Sequence, residues 1–174
     1  MKPIPGHFLY FAFGSNMLTQ RIRISNHSAS YVGNALLKGY YLDFDYESQK
    51  WKGAVATIRE DSKREVWGIL WRLKNEDLKS LDKQEGVESS IYRRLSISIN
   101  LEDSSDPIDA YTYQLTEESC NKGSQDKRPS KIYKNVIVNG AKEHNLNVNY
   151  IKLLEGIQDN GYEGQVEINV PKFT

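Results

Sequence analysis

The stretch from Phe8 to Met17 constrains this chain more than any other. Phe8, Leu9, Tyr10, Phe11, Ala12 and Phe13 form an aromatic, apolar run that stops abruptly at Gly14, Ser15 and Asn16. A short run of that composition, ended by glycine, predicts a buried strand over residues 7–13. Asn16 to Ile24 predicts a short helix, with Met17, Ile22 and Ile24 available for burial and Asn16 as its N-cap. A strand feeding a small-residue turn at a helix start leaves the N–H groups of Gly14, Ser15 and Asn16 able to face a carboxylate or a developing oxyanion. An ordinary capped turn has the same pattern, and spacing alone leaves both readings open.

The rest of the chain supplies a sheet and helices to pack on it. Residues 31–45 carry tyrosines, leucines and a phenylalanine in strand-like patches broken by Gly33 and Gly39. Two further strands are expected at Ala54–Arg59 and Glu65–Leu73, the second apolar enough for the middle of a sheet. Asn75 looks like the N-cap of a helix over 76–85, with Leu78 and Leu81 on one face and Gly86 as a left-handed cap. Ile91–Leu101 and Ile108–Leu115 are expected as a strand pair around a turn at Asp103–Pro107. The polar stretch 116–130 has no periodicity and is expected to be a loop. Two amphipathic helices close the chain, Lys131–His144 capped by Ser130 and Val148–Ile157. This order predicts a single α+β domain over 1–174, a mostly antiparallel sheet or small barrel with helices around it.

Composition removes several classes of function. The 23 basic residues balance the 23 acidic ones, so no charge excess suits a phosphate backbone and no nucleic-acid partner is expected. A single cysteine, Cys120, makes no internal disulfide, which favours a reducing, cytoplasmic setting. Its acidic, polar neighbours predict a free surface thiol in a flexible stretch. No run approaches the roughly 20 apolar residues of a membrane span. The segment before the first strand lacks the apolar core of a signal peptide.

The usual catalytic machinery is also missing. His7, His27 and His144 are scattered, and no pair has metal-ligand spacing. Gly14-Ser15-Asn16 is not a nucleophile elbow, since Phe13 and Met17 stand where small residues are needed. There is no phosphate-binding or dinucleotide glycine motif, so neither metal nor cofactor is expected. An enzyme built from this chain must do its proton transfer with a carboxylate. Glu85, in the segment Leu81–Val87, falls where a helix ending at Gly86 points its negative dipole end. That end disfavours a carboxylate, burial adds to the effect, and a raised pKa suits a group that accepts and returns a proton. Asp82 and Glu88 compete for the role, and a solvated charge at a helix end is the plain alternative.

Taken together, these residues resemble the gamma-glutamylcyclotransferase family. Phe8–Asn16 resembles the family's FLYFAYGSN strand and loop. Gly53–Ile58 and Glu65–Trp71 resemble its next two core strands, Ser80–Val87 its SLDEQEGV segment, and Gly140–Glu143 its late GAKE stretch. The resemblance runs from Phe8 to about Gly164; the Gly-Ser-Asn element belongs to a wider superfamily, but the full set is more specific. It implies a small mixed β-barrel flanked by helices, a homodimer, and cyclisation of gamma-glutamyl dipeptides to 5-oxoproline and a free amino acid. It implies Glu85 as the catalytic residue, and a substrate cradle from Tyr10, Phe11, Ala12, Phe13, Gly14 and Ser15 with Asn16 adjacent. Tyr133 matches the family's tyrosine bordering the substrate. Phe13 departs from the family tyrosine and removes a hydroxyl beside the cradle, and the loop before Tyr133 is longer and lacks the family's prolines.

Relatives sharing the Gly-Ser-Asn element release other leaving groups, from gamma-glutamylamines such as gamma-glutamyl-lysine or from intact glutathione. The near full-length match favours the dipeptide enzyme. A non-catalytic binder of gamma-glutamyl compounds or 5-oxoproline on the same fold is the reading from another class, and retention of Glu85 weighs against it.

Overall fold

Why does the first strand stay dry? The computed structural model, which describes residues 4–121 and 126–168, closes a barrel around it. Strand β1 (His7–Ala12) pairs antiparallel with β3 (Gly53–Lys74), which pairs antiparallel with β2 (Ser30–Ser48). β2 pairs with β4 (Tyr92–Leu101), and β4 with β5 (Pro107–Leu115), both antiparallel. β5 then meets β1 in parallel at Tyr10 and Tyr111, closing the order β1-β3-β2-β4-β5. Thr112 reinforces that seam by donating from Oγ1 to the Phe11 carbonyl at 2.9 Å. Phe11, Ile58, Ile69, Leu70, Trp71, Leu73 and Ile99 have no exposed surface and form the core. Burial on that scale is the main force holding such a barrel together.

The two strands expected at 54–59 and 65–73 are one continuous strand, β3. Their polar connection, Glu60–Arg64, lies opposite Gly39, where the register of the β2–β3 ribbon shifts. Gly39 has φ +82°, and this stretch of ribbon is in solvent, so its residues are polar without ending the strand. Gly33 also sits at a register shift rather than at a break.

The helices of the described residues are α1 (Thr19–Arg23), α2 (Leu78–Gln84), α3 (Glu117–Asn121), α4 (Lys131–Glu143) and α5 (Val148–Glu155). Ser130 caps α4 as expected, accepting from the Tyr133 N–H at 3.2 Å. Gly86 is left-handed with φ +66° and follows the C-cap of α2, Glu85. Three expectations need correction. Asn16 is not an N-cap: residues Ser15–Met17 form a 3-10 turn, Leu18 is extended, and α1 begins only at Thr19. Asn75 caps nothing either, and lies inside a 3-10 turn (Asn75–Asp77) ahead of α2. The stretch expected as a loop contains α3, which carries Cys120 half-buried with its Sγ 3.8 Å from Arg59 Nη2. Part of that loop, residues 122–125, lies outside the described residues.

Candidate active site

The turn after β1 is held from two sides. Trp71, fully buried on β3, donates from Nε1 to the Asn16 carbonyl at 3.0 Å. Helix α4 presses on the same turn through Gly140, where a Cβ would stand 2.6 Å from the Leu18 backbone nitrogen. Only glycine permits that approach. Three residues on, Glu143 accepts from the Thr19 N–H at 3.0 Å and so caps the start of α1. The Gly140–Glu143 stretch thus fixes the turn from outside the barrel while Trp71 fixes it from within.

The Met17 and Leu18 N–H groups are spent on the turn itself, on the carbonyls of Gly14 and Ser15. None of the Gly14, Ser15 and Asn16 N–H groups is taken up by a turn or loop carbonyl of the described residues. Tyr10, Phe13, Gly14, Ser15 and Asn16 line one side of a small cleft. Glu85, Tyr133, Ala56, Tyr92 and Tyr113 line the rest. Phe11 and Ala12 do not reach it. Their side chains are wholly buried, because the end of the strand is covered on both sides. Asp82 and Glu88 do not line it: Asp82 is held by Tyr113 at 2.6 Å and Arg94 at 2.8 Å, and Glu88 is exposed.

Glu85 caps the C-terminus of α2 and turns its carboxyl into this cleft. Asn16 donates from Nδ2 to Glu85 Oε1 at 3.0 Å and to the Tyr10 hydroxyl at 3.2 Å. Burial pushes the Glu85 pKa from 4.5 to about 7, opposed by the nearby Arg21 charge and by the Asn16 hydrogen bond, and aided by Asp82. Near neutrality this carboxyl is divided between its two forms, as a group that takes and returns a proton requires.

Tyr133, at the first turn of α4, accepts from the Ala56 N–H at 3.1 Å. Tyr92 donates to the carbonyl of the same residue at 2.6 Å. Both lone-pair contacts recorded at Tyr10 and Tyr133 are with N–H donors, so each hydroxyl keeps its own proton for an acceptor in the cleft. Burial raises both phenols well above their ordinary pKa, which keeps that proton in place. Arg21 is 8% exposed, and its Nε has no hydrogen-bond partner among the described residues. Its guanidinium lies 5.9 Å from the Trp51 ring, which packs 4.7 Å from the Tyr133 ring. Among the described residues no cluster of three His, Cys, Asp or Glu side chains gathers that could hold a metal ion.

Comparison with known proteins agrees with this architecture. Residues 65–154 match the AIG2-like family. The chain is 40% identical over 163 residues to the gamma-glutamylcyclotransferase of Bos taurus, covering 91% of this chain and 83% of the relative. The Homo sapiens protein of the same name is 38% identical over the same shares. The chain belongs to the gamma-glutamylcyclotransferase family. A solved gamma-glutamyl cyclotransferase superposes with a TM-score of 0.85 at 37% identity, covering 92% of this chain and 94% of that one. The family barrel therefore extends across the described chain, small and mixed with helices around it.

Sequence reasoning overlooked Trp71, Arg21, Tyr92 and Tyr113 as neighbours of the site. Tyr92 and Tyr113 share the strand face of Arg94, Ser98 and Asp109, which alternation marks as outward, and only the tertiary fold brings them to Glu85.

Proposed function

We propose that this chain is a gamma-glutamylcyclotransferase acting on gamma-glutamyl amino acids, with Glu85 as its proton shuttle. The observation that carries the reading is the Glu85 carboxyl, held by the Asn16 amide at 3.0 Å, in one cleft with the Gly14–Asn16 turn. The substrate's α-ammonium gives a proton to ionised Glu85. The freed amine attacks the γ-carbonyl carbon and closes the ring, and the carbonyl oxygen takes negative charge. The bond from that carbon to the acceptor amino acid's nitrogen then breaks as Glu85 returns the proton to the leaving nitrogen. The extra proton left on the ring nitrogen passes by the same carboxyl to the departing amine, which leaves as an ammonium group. The products are 5-oxoproline and the free amino acid.

Nucleophile and electrophile are tethered, so holding the substrate folded is the main task, and such orientation is worth roughly 7–11 kcal/mol in good cases. The turn's N–H groups, which no turn or loop carbonyl among the described residues takes up, and the Tyr10 and Tyr133 hydroxyls are the donors for the carbonyl or carboxylate oxygens. Phe13, 6% exposed in the cleft wall, offers contact without a hydroxyl. A reducing, cytoplasmic location is supported by the single cysteine, and a homodimer by the family resemblance. Among the described residues no helix is long and apolar enough to cross a membrane.

The test is release of 5-oxoproline from gamma-glutamyl-alanine, other gamma-glutamyl dipeptides, glutathione and gamma-glutamyl-lysine. Wild type should turn over the dipeptides best. Glu85→Gln should lose about 10²–10⁴-fold in kcat, the usual worth of a positioned acid–base group. Near wild-type turnover by a folded variant overturns the assignment.

A further inference from the structure

Behind the cleft, three side-chain amides stand in a row. Asn26, with no exposed surface, donates from Nδ2 to Gln84 Oε1 at 2.9 Å. Gln84 donates from Nε2 to Asn16 Oδ1 at 2.8 Å. Asn16, 3% exposed, donates from Nδ2 to Glu85 at 3.0 Å. An amide reverses polarity when it flips, so such a row could run in either direction. Here one end is anchored by a group that cannot flip. Asn26 Nδ2 also donates to the Ile22 backbone carbonyl at 3.3 Å, and a carbonyl only accepts.

That anchor decides the rest in sequence. With its NH2 held toward Ile22 and Gln84, Asn26 presents a donor to Gln84. Gln84 must answer with its oxygen, which leaves its NH2 toward Asn16. Asn16 must then answer with its own oxygen, which leaves its NH2 toward Glu85. One atom bears the cost of this choice: Asn26 Oδ1 is buried without a hydrogen-bond partner among the described residues. A buried orphan of this kind calls for a reason, since nearly all buried polar groups are paired. Serving the amide row is that reason.

We propose that Asn26 and Gln84 are positioning residues of the active site, a polarity relay from the Ile22 carbonyl that holds Asn16 as a donor to Glu85. The inference rests on the reading of Glu85 as the proton shuttle. Its consequence is directional. An oriented N–H stabilises the ionised carboxylate, whereas an Asn16 free to flip presents its oxygen and disfavours it. The relay therefore holds Glu85 ready as a base. Other groups act on the same carboxyl and stay in place in the variants below. They are Arg21 from α1, Asp82 from α2, Tyr10 from β1, Tyr92 from β4, Tyr113 from β5 and Tyr133 from α4.

The experiment compares Gln84→Met, Asn26→Leu and the double variant with wild type and Glu85→Gln. It reads the pH profile of kcat/KM for gamma-glutamyl-alanine alongside thermal unfolding. Each single variant should move the acid limb of the profile upward by about half to one pH unit, the scale of one lost hydrogen bond to a carboxylate. Below the limb this is a loss of about three- to tenfold. The double variant should move it no further than either single, because both break one path. Asn26→Leu leaves every residue that contacts Glu85 unchanged, so it carries the test even where Gln84→Met folds poorly. An acid limb at the wild-type position in folded single variants, or shifts that add in the double, would refute the relay. Glu85→Gln with retained turnover would instead bring down the shuttle reading itself, a distinguishable failure.

Discussion

Glu85→Gln should make the protein more stable, and the gain should depend on pH. In the unfolded chain the carboxyl loses its proton near 4.5, whereas burial in the cleft holds the proton until about 7. Between those values the folded state binds the extra proton. Stability supplied by the protonated group is therefore complete below 4.5 and is lost as pH rises through about 7. The gap between the two values corresponds to about 3 kcal/mol at 1.36 kcal/mol per pH unit. Glutamine does not ionise, and its Oε1 can still accept from Asn16. The variant should exceed wild type by less than about 1 kcal/mol at pH 5 and by about 3 kcal/mol at pH 8.5. Urea unfolding of both proteins over that range measures the difference, and every other titrating group cancels from it. In thermal unfolding the alkaline gain is about 6–12 °C for a chain of this length. A difference that stays flat with pH would refute the reasoning. One of opposite slope would show that the Arg21 charge outweighs burial. The expected result, a more stable and inactive protein, is the usual mark of a group kept for chemistry at the expense of stability.

Two further outcomes test how the turn is built. In Gly14→Ala the new methyl meets Ala56 Cβ and the Tyr133 hydroxyl at 3.5 Å, ordinary contact distances, so Tm should barely move. The methyl occupies cleft space beside Tyr133, and KM for gamma-glutamyl-alanine should rise about tenfold, as for a modest steric penalty. Trp71→Phe removes the donor to the Asn16 carbonyl and should destabilise by about 1–3 kcal/mol. Loosening the turn should also lower kcat, by up to about 100-fold for a displacement near 1 Å; a lowered Tm with unchanged kcat would reduce Trp71 to packing alone.

Much of this protein was legible from local pattern. An aromatic run ended by glycine marks a buried strand, and β1 is buried from Tyr10 onward, because period and composition report burial directly. Gly86 announced the end of α2 and Ser130 the start of α4, because both act through their own neighbouring backbone. The family resemblance singled out Glu85, Tyr133 and the Tyr10–Asn16 stretch, most of which meet at one cleft. Where local pattern misled, a distant partner had intervened. Asn16 has the identity of a helix cap, yet its amide is drawn off by Gln84, Glu85 and Tyr10. Phe11 and Ala12 belong to the same run as Tyr10, but closure of the barrel puts them in the core.

Tertiary structure alone decided the electrostatics of the site. As a sequence, Glu85 is one acidic residue among several near a helix end, with Asp82 and Glu88 as rivals. Barrel closure buries its carboxyl beside Asn16 and near Arg21, occupies Asp82 with Tyr113 and Arg94, and leaves Glu88 in solvent. A pKa depends on what lies within a few ångströms in space, and the groups that set this one come from α1, α2 and the turn after β1. Residue types and spacing determined which elements form; only their packing determined which carboxyl can hold a proton at neutral pH.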